Sequence, residues 1–204
     1  MWLSTIAMDH DHFVRAGSRW HDGDWAHKRV MALFSPDLPG ESVRQRHGVL
    51  FRTEPELRRV LVQALVQPLP RPGLRSVDLS VVVQALTNGQ TVQFTWKANA
   101  VKTVNRTGPD GRVACHRQPI TEAERELWVR RCLDWLDMGA DSFRLVHTVE
   151  RVKKAPLDVV TVVGTGTLID ADRARAAVLG GLGRAKAYGC GMLSVVPSRT
   201  AQAG

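Results

Sequence analysis

The segment Gly180–Leu193 reads GGLGRAKAYGCGML, and the rest of the chain is organised around it. Five glycines (Gly180, Gly181, Gly183, Gly189, Gly191) punctuate two cations, Arg184 and Lys186. Asp170–Leu179 before it predicts a helix, and Met192–Val196 after it predicts a strand. Glycine accepts backbone shapes and close approaches that a Cβ would block. Successive N–H groups in such a loop can point at one anion, and two cations beside them make phosphate a fitting guest. Taken alone, glycines in this pattern need make only a tight turn.

Outward from the loop, the second half of the chain has a regular order. Thr91–Ala98 (TVQFTWKA) alternates as a strand. A basic stretch, Lys97–Arg117, is centred on Gly108-Pro109-Asp110-Gly111 and predicts a long hairpin. Thr121 and Glu124 form a capping box for a helix running to about Met138, with Leu127, Trp128, Cys132, Trp135 and Leu136 as its core stripe. Strands follow at Ser142–Arg151 and Val159–Ile169, the latter with a bulge expected at Gly164 or Gly166. With the hairpin set aside, this order is β-α-β-β-α-β, the ferredoxin-like pattern. The first half reads as a weaker copy: a strand at Met1–Met8, a helix at Asp24–Phe34 capped by Asp22 or Asp24, and a strand at His47–Thr53. Arg58–Val66 fits either helix or buried strand, and valine-rich Val77–Leu86 reads as strand with room for a helical turn. The expected fold is therefore α+β, with tandem ferredoxin-like domains and antiparallel sheets. The Asn-Gly turn in Thr87–Gln90 divides it into domains 1–88 and 89–204.

Composition narrows the function classes. The chain has 204 residues, with 28 Lys+Arg against 20 Asp+Glu, a net charge of +8. Such a surplus favours a polyanionic partner, nucleic acid before membrane surface. No apolar run is long enough to span a bilayer. Cys115, Cys132 and Cys190 are odd in number and widely spaced, which fits a reducing, cytoplasmic compartment and argues against a disulfide frame or a zinc site. Asp9-His10-Asp11-His12 has metal-binding residue types, but in a loop it reads as solvated. No metal or cofactor is expected.

Among candidate site residues, His27 lies in the first turn of the Asp24–Phe34 helix, on the side of Val30, Met31 and Phe34. It fits either a packing histidine or a general acid or base, since imidazole titrates near neutrality. The positive end of the helix would favour its neutral form. Lys28 and Arg29 follow directly as cations for an anionic substrate, or as a solvated face. In the basic hairpin, Lys102, Arg106, Arg112 and Arg117 could follow a nucleic acid backbone or merely guard an exposed edge. Lys153 and Lys154, at a strand end, could also touch phosphate.

The pattern G-x-G-x-x-K-x-x-G-x-G-x-L at Gly181–Leu193, the K-A-N-x-x-K-T pattern at Lys97–Thr103, the N-terminal MWLS, and His27 before a helix ending in Leu33-Phe34 together resemble a known family. These are the CasE-type pre-crRNA endoribonucleases of the type I-E CRISPR Cascade, a branch of the RAMP superfamily. The resemblance covers nearly the whole chain and is weakest over residues 54–90. It implies tandem ferredoxin-like domains and metal-independent cleavage of CRISPR repeat stem-loops. In that reaction a 2′-hydroxyl attacks the adjacent phosphate and leaves a 2′,3′-cyclic phosphate. It also implies that the enzyme stays on the crRNA stem-loop beside the other Cascade subunits. By this resemblance His27 is the catalytic histidine, Arg184 and Lys186 are the glycine-loop cations, and Lys102, Arg106 and Arg112 lie in a stem-gripping arm. Some members carry a Tyr three residues before the histidine and a Lys a few residues after it; here Asp24 and Ala32 stand there. The alternative reading is a catalytically weak RNA-binding subunit of the same complex. A nucleotide-dependent enzyme is disfavoured, because the loop lacks the G-x-x-x-x-G-K-[ST] order.

Overall fold

The computed structural model describes every residue except 16, 18, 21, 36–42, 108–111, 153–154 and 199–204; the side chains of Val43, Arg106, Arg151 and Ala155 also lie outside the description. The first half contains β1 (Trp2–Ala7), α1 (Asp11–Val14), α2 (Gly23–Met31), α3 (Val43–Arg46), β2 (Leu50–Glu54), β3 (Arg59–Ala64) and β4 (Arg75–Asp78). These strands form one antiparallel sheet in the order β2-β3-β1-β4. After α4 (Ser80–Gln84) come β5 (Thr91–Asn99), β6 (Val101–Thr107), β7 (Val113–Pro119), α5 (Glu122–Cys132) and β8 (Leu136–Asp137). The chain ends with β9 (Phe143–Val152), β10 (Ala155–Leu168), α6 (Ala171–Gly180) and β11 (Leu193–Pro197). The second sheet runs β11-β5-β10, with β9 and β8 both pairing with β10; β6 and β7 form a separate two-stranded arm. The class is α+β with antiparallel sheets, and both sheets have the strand order of the ferredoxin-like unit.

Several local readings change. Arg58–Val66, open to helix or buried strand, resolves to strand at Arg59–Ala64, and a loop carries it to β4, so the first half lacks the unit's second helix. One face of this strand, with Val60 and Val62, packs under α2; the other, with Leu61, meets Leu50 of β2 and Met192 of the second half. A strand covered on both sides has no polar alternation to announce it. Val77–Leu86 is mostly not strand. Ser80–Gln84 turns as a helix because Val83 and Leu86 are drawn into the second core. The helix opened by Thr121 stops at Cys132, and Leu136 instead pairs with Leu168. Leu127 is 54% exposed and leaves the predicted stripe; Val129 and Leu133 are the fully buried positions. The expected bulge is absent too. Gly164 and Gly166 pair in unbroken register with Phe94 and Val92, and their hydrogens make room for Phe143 and Leu136.

The two sheets meet through polar and apolar groups. Buried Arg52 on β2 donates to Glu54 and reaches the carbonyl of Thr95 on β5 at 3.3 Å. Buried Lys97 pairs with Glu150 of its own sheet at 2.7 Å and donates across the join to Thr53 Oγ1 on β2 at 3.4 Å, and Gln63 Nε2 on β3 donates to the Val178 carbonyl of α6 at 2.6 Å. The glycine loop completes the join by folding over edge strand β2. A Cβ at Gly181 would lie 2.8 Å from Leu50, and one at Gly189 would lie 3.1 Å from Phe51. Adjacent strand residues point to opposite faces, so the loop grips β2 from both sides.

Gly181 closes α6 with φ 68° and ψ 158°, a region open in practice only to glycine. An added Cβ would also sit 2.9 Å from the Gly191 carbonyl oxygen. Gly181→Ala is therefore expected to destabilise the fold by about 2–3 kcal/mol, measured as a lower denaturant midpoint. Gly180→Ala, where a Cβ meets nothing within 4 Å, should leave the midpoint unchanged or raise it slightly, since alanine is the better helix former.

Candidate functional site

Helix α2 starts at Asp22, whose carboxylate accepts from the N–H groups of Asp24 and Trp25 at 3.0 and 3.2 Å. Ala26 and Val30 seat it on the first core. Its first turn lies against the second half of the chain. A Cβ at Gly23 would be 2.9 Å from Val152 on β9 and 3.3 Å from Cβ of Tyr188 in the glycine loop. Thus the turn that carries His27 and the loop at the far end of the polypeptide are neighbours.

His27 is half-buried. Its Nδ1 is buried and has no partner among the described residues. Burial pushes its pKa below the usual 6.5, Arg44 lowers it further, and Asp24 opposes both. The imidazole is neutral at pH 7 and able to accept a proton. The cause differs from the helix-end effect expected from sequence: burial leads, and a cation from another element follows.

Lys186 is held within its own loop. Its Nζ donates to the carbonyls of Gly180 and Gly181 at 2.7 and 2.9 Å, satisfying acceptors that the end of α6 leaves open. An ammonium has three donors, so one remains for a ligand. Burial lowers the Lys186 pKa, and Arg44 lowers it again. Arg44, on α3, is itself depressed by burial and acts on both His27 and Lys186. The structure therefore adds to the expected site a cation, Arg44, whose positive charge is felt at both the histidine and the loop lysine. The cationic cluster Arg44-Gln-Arg46-His47 is the sequence signal that marks it, but only the fold shows that Arg44 is the half-buried arginine whose charge reaches His27. Tyr188, the one tyrosine of the chain, is likewise brought to α2 by the loop.

The other predicted positions lie in several places. Arg184 is exposed on the loop with no bond to the described residues. Of the flanking glycines, Gly181, Gly183, Gly189 and Gly191 all have positive φ, and Gly180 ends α6. Lys28 is exposed beside His27. Arg29 points elsewhere, into a groove with His10, His12 and Arg71. On the arm, β7 is exposed along its whole length, including Arg117, and Arg112 is exposed at its start. Lys102 bonds Glu124 of the α5 cap at 2.6 Å, which braces the arm against the helix. The Arg106 side chain, Lys153, Lys154 and the turn residues Gly108–Gly111 lie outside the described residues. Among the described residues no three His, Cys, Asp or Glu side chains converge as a metal site, and His10 and His12 of the Asp-His run bond the carbonyls of Pro72 and Arg29.

The open face of the second sheet shows Gln93 and Thr95 on β5, Val163 and Thr165 on β10, and Ser194 and Val196 on β11. No aromatic ring stands there to stack on a base, unlike the sheet face of many single-strand RNA binders.

Known proteins resemble this chain along most of its length. A family model described as CRISPR associated protein matches residues 1–197. The CRISPR system Cascade subunit CasE of Escherichia coli strain K12 is 30% identical over 210 aligned positions, which cover 97% of this chain and all of the relative. The CRISPR-associated endoribonuclease Cse3 of Thermus thermophilus is 30% identical over 177 positions, covering 74% of this chain and 81% of the relative. The crystal structure of the CRISPR-associated protein Cas6e from Escherichia coli K-12 superposes with a TM-score of 0.69 at 25% identity, covering 97% of this chain and all of that one.

Proposed function

This chain belongs to the CRISPR-associated protein family of CasE and Cse3, and from that premise we propose that it is the endoribonuclease that cuts CRISPR repeat stem-loops in precursor RNA and then remains on the product as a Cascade subunit. The observation that carries this reading is the packing of the start of α2, the helix of His27, against Tyr188 of the glycine loop, with the charge of Arg44 felt by both His27 and Lys186. Two domains, 1–88 and 89–204, supply the two sides of the site, with the imidazole from the first and the cationic loop from the second.

The chemistry needs no protein nucleophile. The 2′-oxygen of the nucleotide before the cut forms a bond to phosphorus, and its proton passes to neutral His27. The bond from phosphorus to the 5′-oxygen breaks, and that oxygen takes a proton from solvent. The products are a 2′,3′-cyclic phosphate and a 5′-hydroxyl. Negative charge grows on the phosphoryl oxygens as the new bond forms, and preorganised cations are worth most at that moment. Arg44, the third donor of Lys186 and exposed Arg184 supply them. The arm, with Lys102, Arg106, Arg112 and Arg117, grips the stem by backbone and shape, because the deep major groove of duplex RNA is closed to side chains. Exposed Lys28 adds a further cation beside His27.

The test is incubation with a repeat stem-loop in EDTA. A cyclic-phosphate end is expected, and a 2′-deoxy sugar at the cut should stop cleavage while binding persists. Cleavage of the deoxy substrate would overturn the mechanism. Tight binding with no cleavage of either substrate would leave only the RNA-binding subunit.

A further inference from the structure

A second cationic site lies on another side of α2 from His27. A groove of about 550 Å³ opens between α1, α2 and the loop before β4, lined by His10, Asp11, His12, Arg15, Arg29 and Arg71. Three guanidinium groups face one carboxylate there, and Asp11 is already paired with Arg15 at 3.0 Å. Arg71 donates to the Ala32 carbonyl at 2.9 Å, which fixes its head in the wall. The Nε atoms of Arg29 and Arg71 are both buried without a partner among the described residues. Buried polar donors in folded proteins are almost always paired, so this wall carries hydrogen-bonding capacity that the protein itself does not use. The two imidazoles shape the groove: His12 Nε2 donates to the Arg29 carbonyl at 3.0 Å, and His10 Nε2 to the Pro72 carbonyl at 2.5 Å. His12 is held below the usual histidine range by burial first, and then by the charges of Arg71, Arg29 and His10. The local field is positive and uncompensated.

We propose that this groove binds a backbone phosphate of the single-stranded RNA flanking the stem-loop. The inference rests on the endoribonuclease reading for the identity of the polyanion. Planar guanidinium forks suit phosphate oxygens. The groove shares α2 with His27, and Arg29 follows His27 by two residues, a step that turns through more than half a helical turn. The scissile phosphate at His27 therefore cannot also occupy the groove. A neighbouring phosphate on a strand passing round a helix about 10 Å thick can.

The experiment measures binding of two RNAs, a bare repeat stem-loop and the same stem-loop with an eight-nucleotide single-stranded flank, across a salt series. The double variant Arg15→Gln/Arg71→Gln removes two charges, and glutamine at 71 keeps a donor for the Ala32 carbonyl. For the flanked RNA the variant should lower the log–log salt slope by about 0.7 per lost phosphate contact and weaken binding at physiological salt. The bare stem-loop should bind as to the parent. Parental affinity and slope on the flanked RNA would overturn the proposal, and so would equal losses on both RNAs. Unchanged RNA binding with lost assembly onto other proteins would assign the groove to an acidic protein partner instead. If the parent binds neither RNA, the endoribonuclease reading itself fails, a result distinct from all of these.

Discussion

His27→Ala is expected to slow single-turnover cleavage of a bound repeat stem-loop by about 10²–10⁴-fold, the usual contribution of a positioned acid or base, with the dissociation constant nearly unchanged. The imidazole is half-buried beside Arg44, and neither its burial nor that neighbour favours a permanent positive charge. Its work is to hold a proton, so its loss should appear in the rate and not in the hold on RNA. The pH profile follows from the sign of the shift. A base whose pKa lies below 6.5 is already deprotonated at pH 7, so the rate should be flat from pH 7 to 8. It should fall as acid takes the imidazole through its lowered pKa, and the alanine variant should lose that acid limb. Parental rates from His27→Ala would make the residue a packing histidine.

Arg44→Ala should cost about 10²–10³-fold in the same single-turnover rate, the range seen when one preorganised donor to a developing oxyanion is removed. Two further readouts separate this role from mere support of the fold. First, Arg44 is one of the causes that lower the pKa of His27, so its removal should move the acid limb of the pH profile upward, toward 6.5. Second, Arg44→Lys should restore much of that shift, because it restores the charge. It should recover only part of the rate, because an ammonium is a point charge without the guanidinium fork. A variant with normal rates and an unmoved pH limb would take Arg44 out of the site. Lys186 makes a less clean probe, since its ammonium also closes the end of α6 and its loss would loosen the loop itself.

The parts of this molecule legible in the sequence are those with a local cause. Alternation gave away Thr91–Ala98, the capping box located the start of α5, and the glycines of Gly180–Leu193 marked a turn that side chains would block. The parts that stayed hidden depend on partners far along the chain. Arg59–Ala64 shows no alternation because both of its faces are covered, one by α2 and the other by residues of the second half. Leu127 looked like core by its type but lies outside the stripe that Trp128, Cys132, Trp135 and Leu136 share with fully buried Val129 and Leu133. The site shows the same division. His27 and the loop cations stood out by type and motif, whereas Arg44 sits in a four-residue helix whose basic run does not single it out from Arg46 and His47. Its importance comes from the folding of α3, α2 and the glycine loop to one spot, which no window of sequence contains.

The clasp of Gly181 and Gly189 around Leu50 and Phe51 has a consequence for how activity could be divided. A polypeptide severed in the Thr87–Gln90 turn would leave the proton acceptor on one fragment and most of the charge that meets the phosphate on the other. Neither piece alone would hold a working centre. Cutting power would return only when the loop of one fragment closed again over the outermost strand of its mate, so catalysis itself would report that the pieces had rejoined.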